Sequence, residues 1–140
     1  MEGSVNSPVK KYHQLGVETS VEAASPHQLV NLLFKGAGDR IRQAQGCIAR
    51  RDIEGRCKAI NSCVEILMGL QMSLDHEKGS EIAANLDGLY DYMQRRLYRA
   101  NADNDAAPLA EVTDLLNTLS SAWQTIDPDQ IQAREPVTAG

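Results

Sequence analysis

Few residues in this 140-residue chain could hold a metal or carry a nucleophile, because it has only three histidines and three cysteines. A di-iron site in a helical protein needs inward glutamates and two Glu-x-x-His pairs. None of His13, His27 and His76 has a glutamate three residues before it. Cys47, Cys57 and Cys63 are spaced by ten and six residues, whereas helical neighbours lie three or four apart. They read as small apolar core thiols rather than zinc ligands. Asp75, Glu77 and Glu81 form the one tight carboxylate cluster. Such groups can do acid–base work, but these sit at a helix end with no sign of a pocket. Gly36-Ala37-Gly38 lacks the strand–loop–helix setting of a phosphate loop. Arg95, Arg96 and Arg99 form a basic run that suits a solvated helix flank or an acidic partner. The inventory therefore points away from an enzyme, with no cofactor and no metal expected.

Composition narrows the classes further. The net charge is −5, which disfavours nucleic-acid binding, since that needs a concentrated basic face. No apolar run approaches the ~18 residues of a membrane span, and the first 25 residues lack the apolar stretch of a secretory signal. An odd number of cysteines suits reduced thiols in a cytosol. Hydrophobic residues make up 42% and aromatic residues 4%, so a core must be aliphatic.

Any functional side chain must be positioned by helices, because apolar residues recur in steps of three and four and no strand alternation is visible. Residues 1–24 form a lead segment in which Tyr12, Leu15, Val17 and Val21 stand among polar residues. They could make a short helix or an extended strap. Ser25, Pro26 and Gln28 spell a capping box, opening a helix over about 26–50. Asp52 can cap a second helix over about 53–78. Gly79 and Ser80 suggest a stop and a new cap for a third over about 81–101. Asp105 can cap a fourth over about 106–126, with Pro108 in its first turn. Residues 127–140, with two prolines, read as a flexible tail. Long helices with short connections give an all-α fold, an antiparallel up-down four-helix bundle over residues 25–126.

The apolar stripe of the second helix is wider than one core requires. Around Ile60, Ile66 falls about 120° to one side and Met72 about 120° to the other, with Met68 and Leu70 between. Gln71 interrupts the centre. Tyr92 and Tyr98 flank the third stripe, and Leu29, Val30, Leu32, Leu33 and Phe34 are apolar nearly all round. Two readings stand level: fuller burial by other parts of the chain or by self-association, or an exposed groove for partner helices.

Several motifs stand together in order. Tyr12 is followed by Val17-Glu18-Thr19 and Ser25-Pro26-His27-Gln28-Leu29. Then come Phe34-Lys35-Gly36-Ala37, Ser73-Leu74-Asp75, Glu81-Ile82-Ala83 and Asn85-Leu86. The densest stretch is LYDYMQRRLYRANADND over Leu89–Asp105, and Glu111-Val112, Leu115-Leu116 and Ala122-Trp123 close the series. On these residues the chain resembles the FliS family, flagellin-specific export chaperones of bacteria, over roughly residues 11–126. Lys11 and Lys35 depart from it, standing where alanine and an acidic residue are common.

The resemblance implies an elongated antiparallel four-helix bundle without catalysis or nucleotide. It implies a one-to-one complex with the carboxyl-terminal region of flagellin, held in hydrophobic grooves so that it does not polymerise early in the bacterial cytosol. The loaded chaperone would then meet the cytosolic domain of the export gate. Flank geometry and these motifs together nominate Leu29, Leu32, Leu33, Ile66, Leu70, Leu89, Tyr92 and Arg96 as partner contacts. Tyr12, Leu15 and Val17 would either cover part of the groove in the free chain or pack on the bundle permanently. The competing reading is a non-enzymatic adaptor or a homodimeric bundle that hides its wide stripes in its own interface.

Overall fold

Ser25 decides where the first helix begins. In the computed structural model, which describes residues 25–125, its hydroxyl accepts from the Gln28 N–H at 3.2 Å. The Gln28 side chain in turn accepts from the Ser25 N–H at 3.0 Å. This reciprocal pair satisfies two orphan donors and starts α1, Pro26–Arg50. Tyr12, Leu15, Val17 and the tail over 127–140 lie outside the described residues.

Arg51 ends α1 in the left-handed region at φ 60°, and its N–H donates to the Ile48 carbonyl at 3.1 Å. Asp52 then caps α2, Ile53–Met72, by accepting from the Gly55 N–H at 2.9 Å. The connection is so tight that a Cβ on Gly55 would meet the Asp52 carboxylate and lie 2.8 Å from the Cys47 sulfur.

The second connection differs from the sequence expectation. α2 stops at Met72 rather than near 78, and α3 runs His76–Asp103 rather than 81–101. The cap is Asp75, whose carboxylate accepts from both the Glu77 and Lys78 N–H groups. Gly79 lies inside the first turn, donating to the Asp75 carbonyl at 2.8 Å. A doubly used carboxylate at the positive end of a helix outweighs the ~1 kcal/mol that glycine costs inside one. Asn104 closes α3 in the left-handed region at φ 53°. Asp105 accepts from the Ala107 N–H at 3.0 Å, and α4 runs Ala107–Trp123.

Each helix packs on the next, and α4 returns to α1, so the described residues make a closed four-helix bundle. The antiparallel order is visible in the contacts between ends. Arg56 at the start of α2 reaches Asn101 and Asn104 at the end of α3, and His27 at the start of α1 meets Trp123 at the end of α4. The core is aliphatic, built on Leu33, Ile41, Ile60, Leu67, Met93, Leu97, Leu109 and Val112.

The first two helices meet along small residues. Ala37 and Ala44 of α1, with Ala59 and Cys63 of α2, are buried, and the Cys63 thiol donates to the Ala37 carbonyl at 3.5 Å. Burial pushes the pKa of that thiol up to about 12, so it stays protonated and serves as packing.

Two glycines test this account with opposite signs. Gly88, midway along α3, has open space where a Cβ would sit, with no atom within 4 Å, so Gly88→Ala should stabilise by about 0.5–1 kcal/mol through helix propensity. Gly55→Ala should instead destabilise by about 1–2 kcal/mol, because the methyl displaces the Asp52 cap. Urea midpoints of the two variants decide the matter, and shifts of the same sign would contradict the tight-turn geometry.

Candidate functional site

Arg96 shows which flank of α3 faces α4. Its Nε donates to Glu111 of α4 at 2.7 Å, and the Tyr92 hydroxyl, one turn earlier, donates to the other oxygen of the same carboxylate at 2.5 Å. Going back from Arg96 in steps of seven, the same flank carries Leu89 and Ile82, with Leu86 beside them. On α4, Glu111 is followed by Leu115 and Leu119 at four-residue intervals. Leu86, Leu89, Leu115 and Leu119 are all half-buried, resting on the core with one side open. Ile82 is 50% exposed.

Helical spacing sets these side chains along the α3–α4 seam as an apolar, partly open groove, with the polar link of Tyr92, Glu111 and Arg96 at one end. Helix lengths explain why Ile82 is left exposed. With 28 residues α3 is about 42 Å long, whereas α4 with 17 residues is about 26 Å. The two share the turn at Asn104–Ala106, so α4 has ended where Ile82 begins.

The electrostatics of the link are cooperative. Hydrogen bonds from Tyr92 and then Arg96 hold the Glu111 carboxyl below the usual carboxylate range. The bond to Glu111 raises the Tyr92 phenol, and the same carboxylate raises Arg96. Arg95 lies over the Tyr92 ring, 6.0 Å from its centroid, and also pairs with Asp91 at 3.1 Å. Arg99 meets Asp103 at 3.7 Å. The basic run of the sequence is thus matched, residue by residue, by carboxylates of the chain itself.

The eight residues nominated from sequence separate into three sets. Leu89, Tyr92 and Arg96 converge on the groove. Leu29, Leu33, Ile66 and Leu70 are buried core residues in the free chain. Leu32 is half-buried on α1, away from the other three. The width of the α2 stripe has a simple cause: α2 lies between α1 and α3 and is covered on both sides, so the Ile66 flank is fully buried. On the opposite flank Met68 and Met72 are exposed, as is Tyr98 on α3.

Gln71 breaks the stripe because it bonds across the α2–α3 seam. Its Nε2 donates to the Asp87 carboxylate at 2.9 Å and to the Asp87 carbonyl at 3.2 Å, and Gln94 donates to its Oε1 at 2.8 Å. The nominations did not include Ile82, Leu86, Leu115 and Leu119, which lie on the same two flanks. The signal for them was present in the neighbouring Leu115-Leu116 pair, which gives α4 two adjacent apolar rows, one for the core and one for the groove.

Of the carboxylates considered for acid–base work, Asp75 has a structural role. It caps α3, and no described group of three or more His, Cys, Asp or Glu residues could hold a metal ion. No described helix is long and apolar enough to cross a membrane.

Comparison with known proteins agrees with this architecture. The family model described as flagellar protein FliS matches residues 8–130. The flagellar secretion chaperone FliS of Salmonella typhimurium is 44% identical, over 87% of this chain and 91% of that protein. The flagellar secretion chaperone FliSB of Pseudomonas aeruginosa is 42% identical, over 84% of this chain and 94% of its own length. The Bacillus subtilis flagellar secretion chaperone FliS is 31% identical over 86% of each chain. With a family match across most of its length and relatives above 40% identity, the chain belongs to the FliS family of flagellar secretion chaperones.

Proposed function

We propose that this chaperone binds the carboxyl-terminal segment of flagellin, one to one, and lays an amphipathic helix of that client into the α3–α4 groove. The observation that carries the reading is the pair of half-buried apolar rows on adjoining flanks, Leu86 and Leu89 of α3 and Leu115 and Leu119 of α4, with exposed Ile82 beyond the end of α4. A client helix would present side chains at three- and four-residue steps to fill them. Each aliphatic side chain fully withdrawn from water contributes about 1.5–3 kcal/mol. Ordering an unfolded client costs about 2–5 kcal/mol or more, which keeps the complex releasable. Capture would occur in the bacterial cytosol, before filament assembly, and the loaded chaperone would then engage the cytosolic domain of the export gate. Neither step needs a cofactor.

Tyr92, Glu111 and Arg96 serve in this reading as the end stop of the groove. They fix the spacing of α3 and α4 and give the client's polar backbone a place to bond. Leu29, Leu33, Ile66 and Leu70 are buried in the core, and to touch the client they would have to be uncovered.

Calorimetric titration against a peptide of flagellin's carboxyl-terminal region should show saturable one-to-one binding, a gain of helicity and a negative heat-capacity change. A folded chain that shows no binding at high micromolar peptide would overturn the proposal. Leu89→Asp should weaken the complex at least tenfold, about 1.4 kcal/mol, while keeping a cooperative thermal transition. Leu70→Asp should remove that transition, because it places an unpaired charge among fully buried side chains.

The lowered Glu111 pKa sets a sign for pH dependence. Its share of stability is whole above the ordinary value of 4.5 and is lost as pH falls through the lower folded value. Acid titration of Glu111→Gln should therefore differ from the unaltered chain at neutral pH and converge with it at low pH. Parallel curves across the range would mean that the link contributes nothing.

A further inference from the structure

A second concavity lies on the opposite side of α4 from the client groove. It is a cleft of about 210 Å³ between α1 and α4, with Phe34 and Leu116 in its lining. Gly38 leaves one wall without a side chain, and Thr113, Asn117 and Ser120 line the other. The mouth carries two cations, Lys35 and Arg42. Arg42 pairs with Asp39 in an exposed ion pair, and the remaining N–H groups of its guanidinium can serve another acceptor. An apolar cavity of ~150 Å³ accepts a benzene-sized group, so this cleft has room for one branched aliphatic side chain. The lining is mostly polar, with Phe34 and Leu116 as its apolar part, so it suits a mixed occupant: one apolar side chain together with carboxylates for the cations.

The chain itself continues with such a segment. After Thr125 the sequence reads Ile126-Asp127-Pro128-Asp129-Gln130-Ile131, two carboxylates bracketed by two isoleucines. Ser120 and Asn117 lie five and eight residues before Thr125, about 8 and 12 Å back along a helix. Six extended residues reach up to ~20 Å, and Pro128 opposes any continuation of α4. We propose that the α1–α4 cleft is a docking slot for residues 126–131 of the same chain. An isoleucine would occupy the space beside Gly38, and Asp127 and Asp129 would face Lys35 and Arg42. The slot is separate from the client groove and does not depend on which client is carried.

Nuclear magnetic resonance of the full-length chain tests this directly. Methyl contacts from Ile126 or Ile131 to the Phe34 ring and Leu116 are expected, with backbone order parameters over 126–131 near ~0.8. Gly38→Leu should fill the slot, since a Cβ there meets only the Arg42 guanidinium at 3.7 Å. Those order parameters should then fall below about 0.6. Should that variant fold poorly, the double change Asp127→Asn and Asp129→Asn should loosen the segment in the same direction. Absence of these contacts in the unaltered chain, with low order over 126–131, would overturn the proposal. So would contacts to a different surface. Contacts found only between differently labelled copies would assign the slot to a neighbour's segment and overturn the intrachain form.

Discussion

Trp123 and His27 hold the last helix to the first. The indole N–H donates to the His27 carbonyl at 3.1 Å, and the His27 Nε2–H donates to the Trp123 carbonyl at 2.9 Å. Their rings stack with centroids 5.3 Å apart, and Phe34 meets the indole edge-on at 6.2 Å. The chain has one tryptophan and one phenylalanine, and both are placed at this junction. Removing either partner would leave a half-buried donor or acceptor unpaired, at a cost of about 1–3 kcal/mol. The junction also fixes the roll of α4 about its own axis. With Trp123 turned to α1, Val112 and Leu116 face the core, and Leu115 and Leu119 are left facing α3. The apolar flank that α4 turns to α3 thus follows from a contact on the far side of the same helix.

The α2–α3 and α3–α4 seams combine apolar side chains with directed polar bonds. Gln71, Asp87 and Gln94 mark the α2–α3 seam, Arg56 ties its far end to Asn101 and Asn104, and Glu111 joins Tyr92 and Arg96 across α3–α4. Aliphatic side chains are tolerant of sliding, whereas directed bonds are not. A core poor in aromatic shape thereby obtains a defined register from a small number of side-chain amides, guanidinium groups and carboxylates at its margins.

Elements governed by local chemistry were legible in the sequence. Ser25 and Gln28 announced α1, and Asp52 announced α2, because capping involves residues three apart. At the α2–α3 boundary Gly79 and Ser80 look, in sequence, like a stop and a cap. Only the geometry shows that Asp75 had already taken that role. Leu89, Tyr92 and Arg96, nominated by flank geometry together with the family motifs, share one flank of α3. Leu70 and Ile66 could not be told from surface residues, because their burial depends on α2 being covered on both sides, which no single helix pattern encodes. Gln71 looked like a flaw in a stripe until its partners on α3 were known.

The two-residue turn between α1 and α2 has a consequence for how the molecule assembles. Arg51 and Asp52 bring the two helices together at once, and Cys63 reaches Ala37 across only 26 residues of chain. Contacts that close short loops form early and at low entropic cost. The Trp123–His27 junction spans 96 residues and closes a far longer loop, at greater entropic cost. Loop-closure cost thus favours the α1–α2 hairpin over the α1–α4 seam, and α4, held by the costlier seam, carries one wall of the α1–α4 cleft.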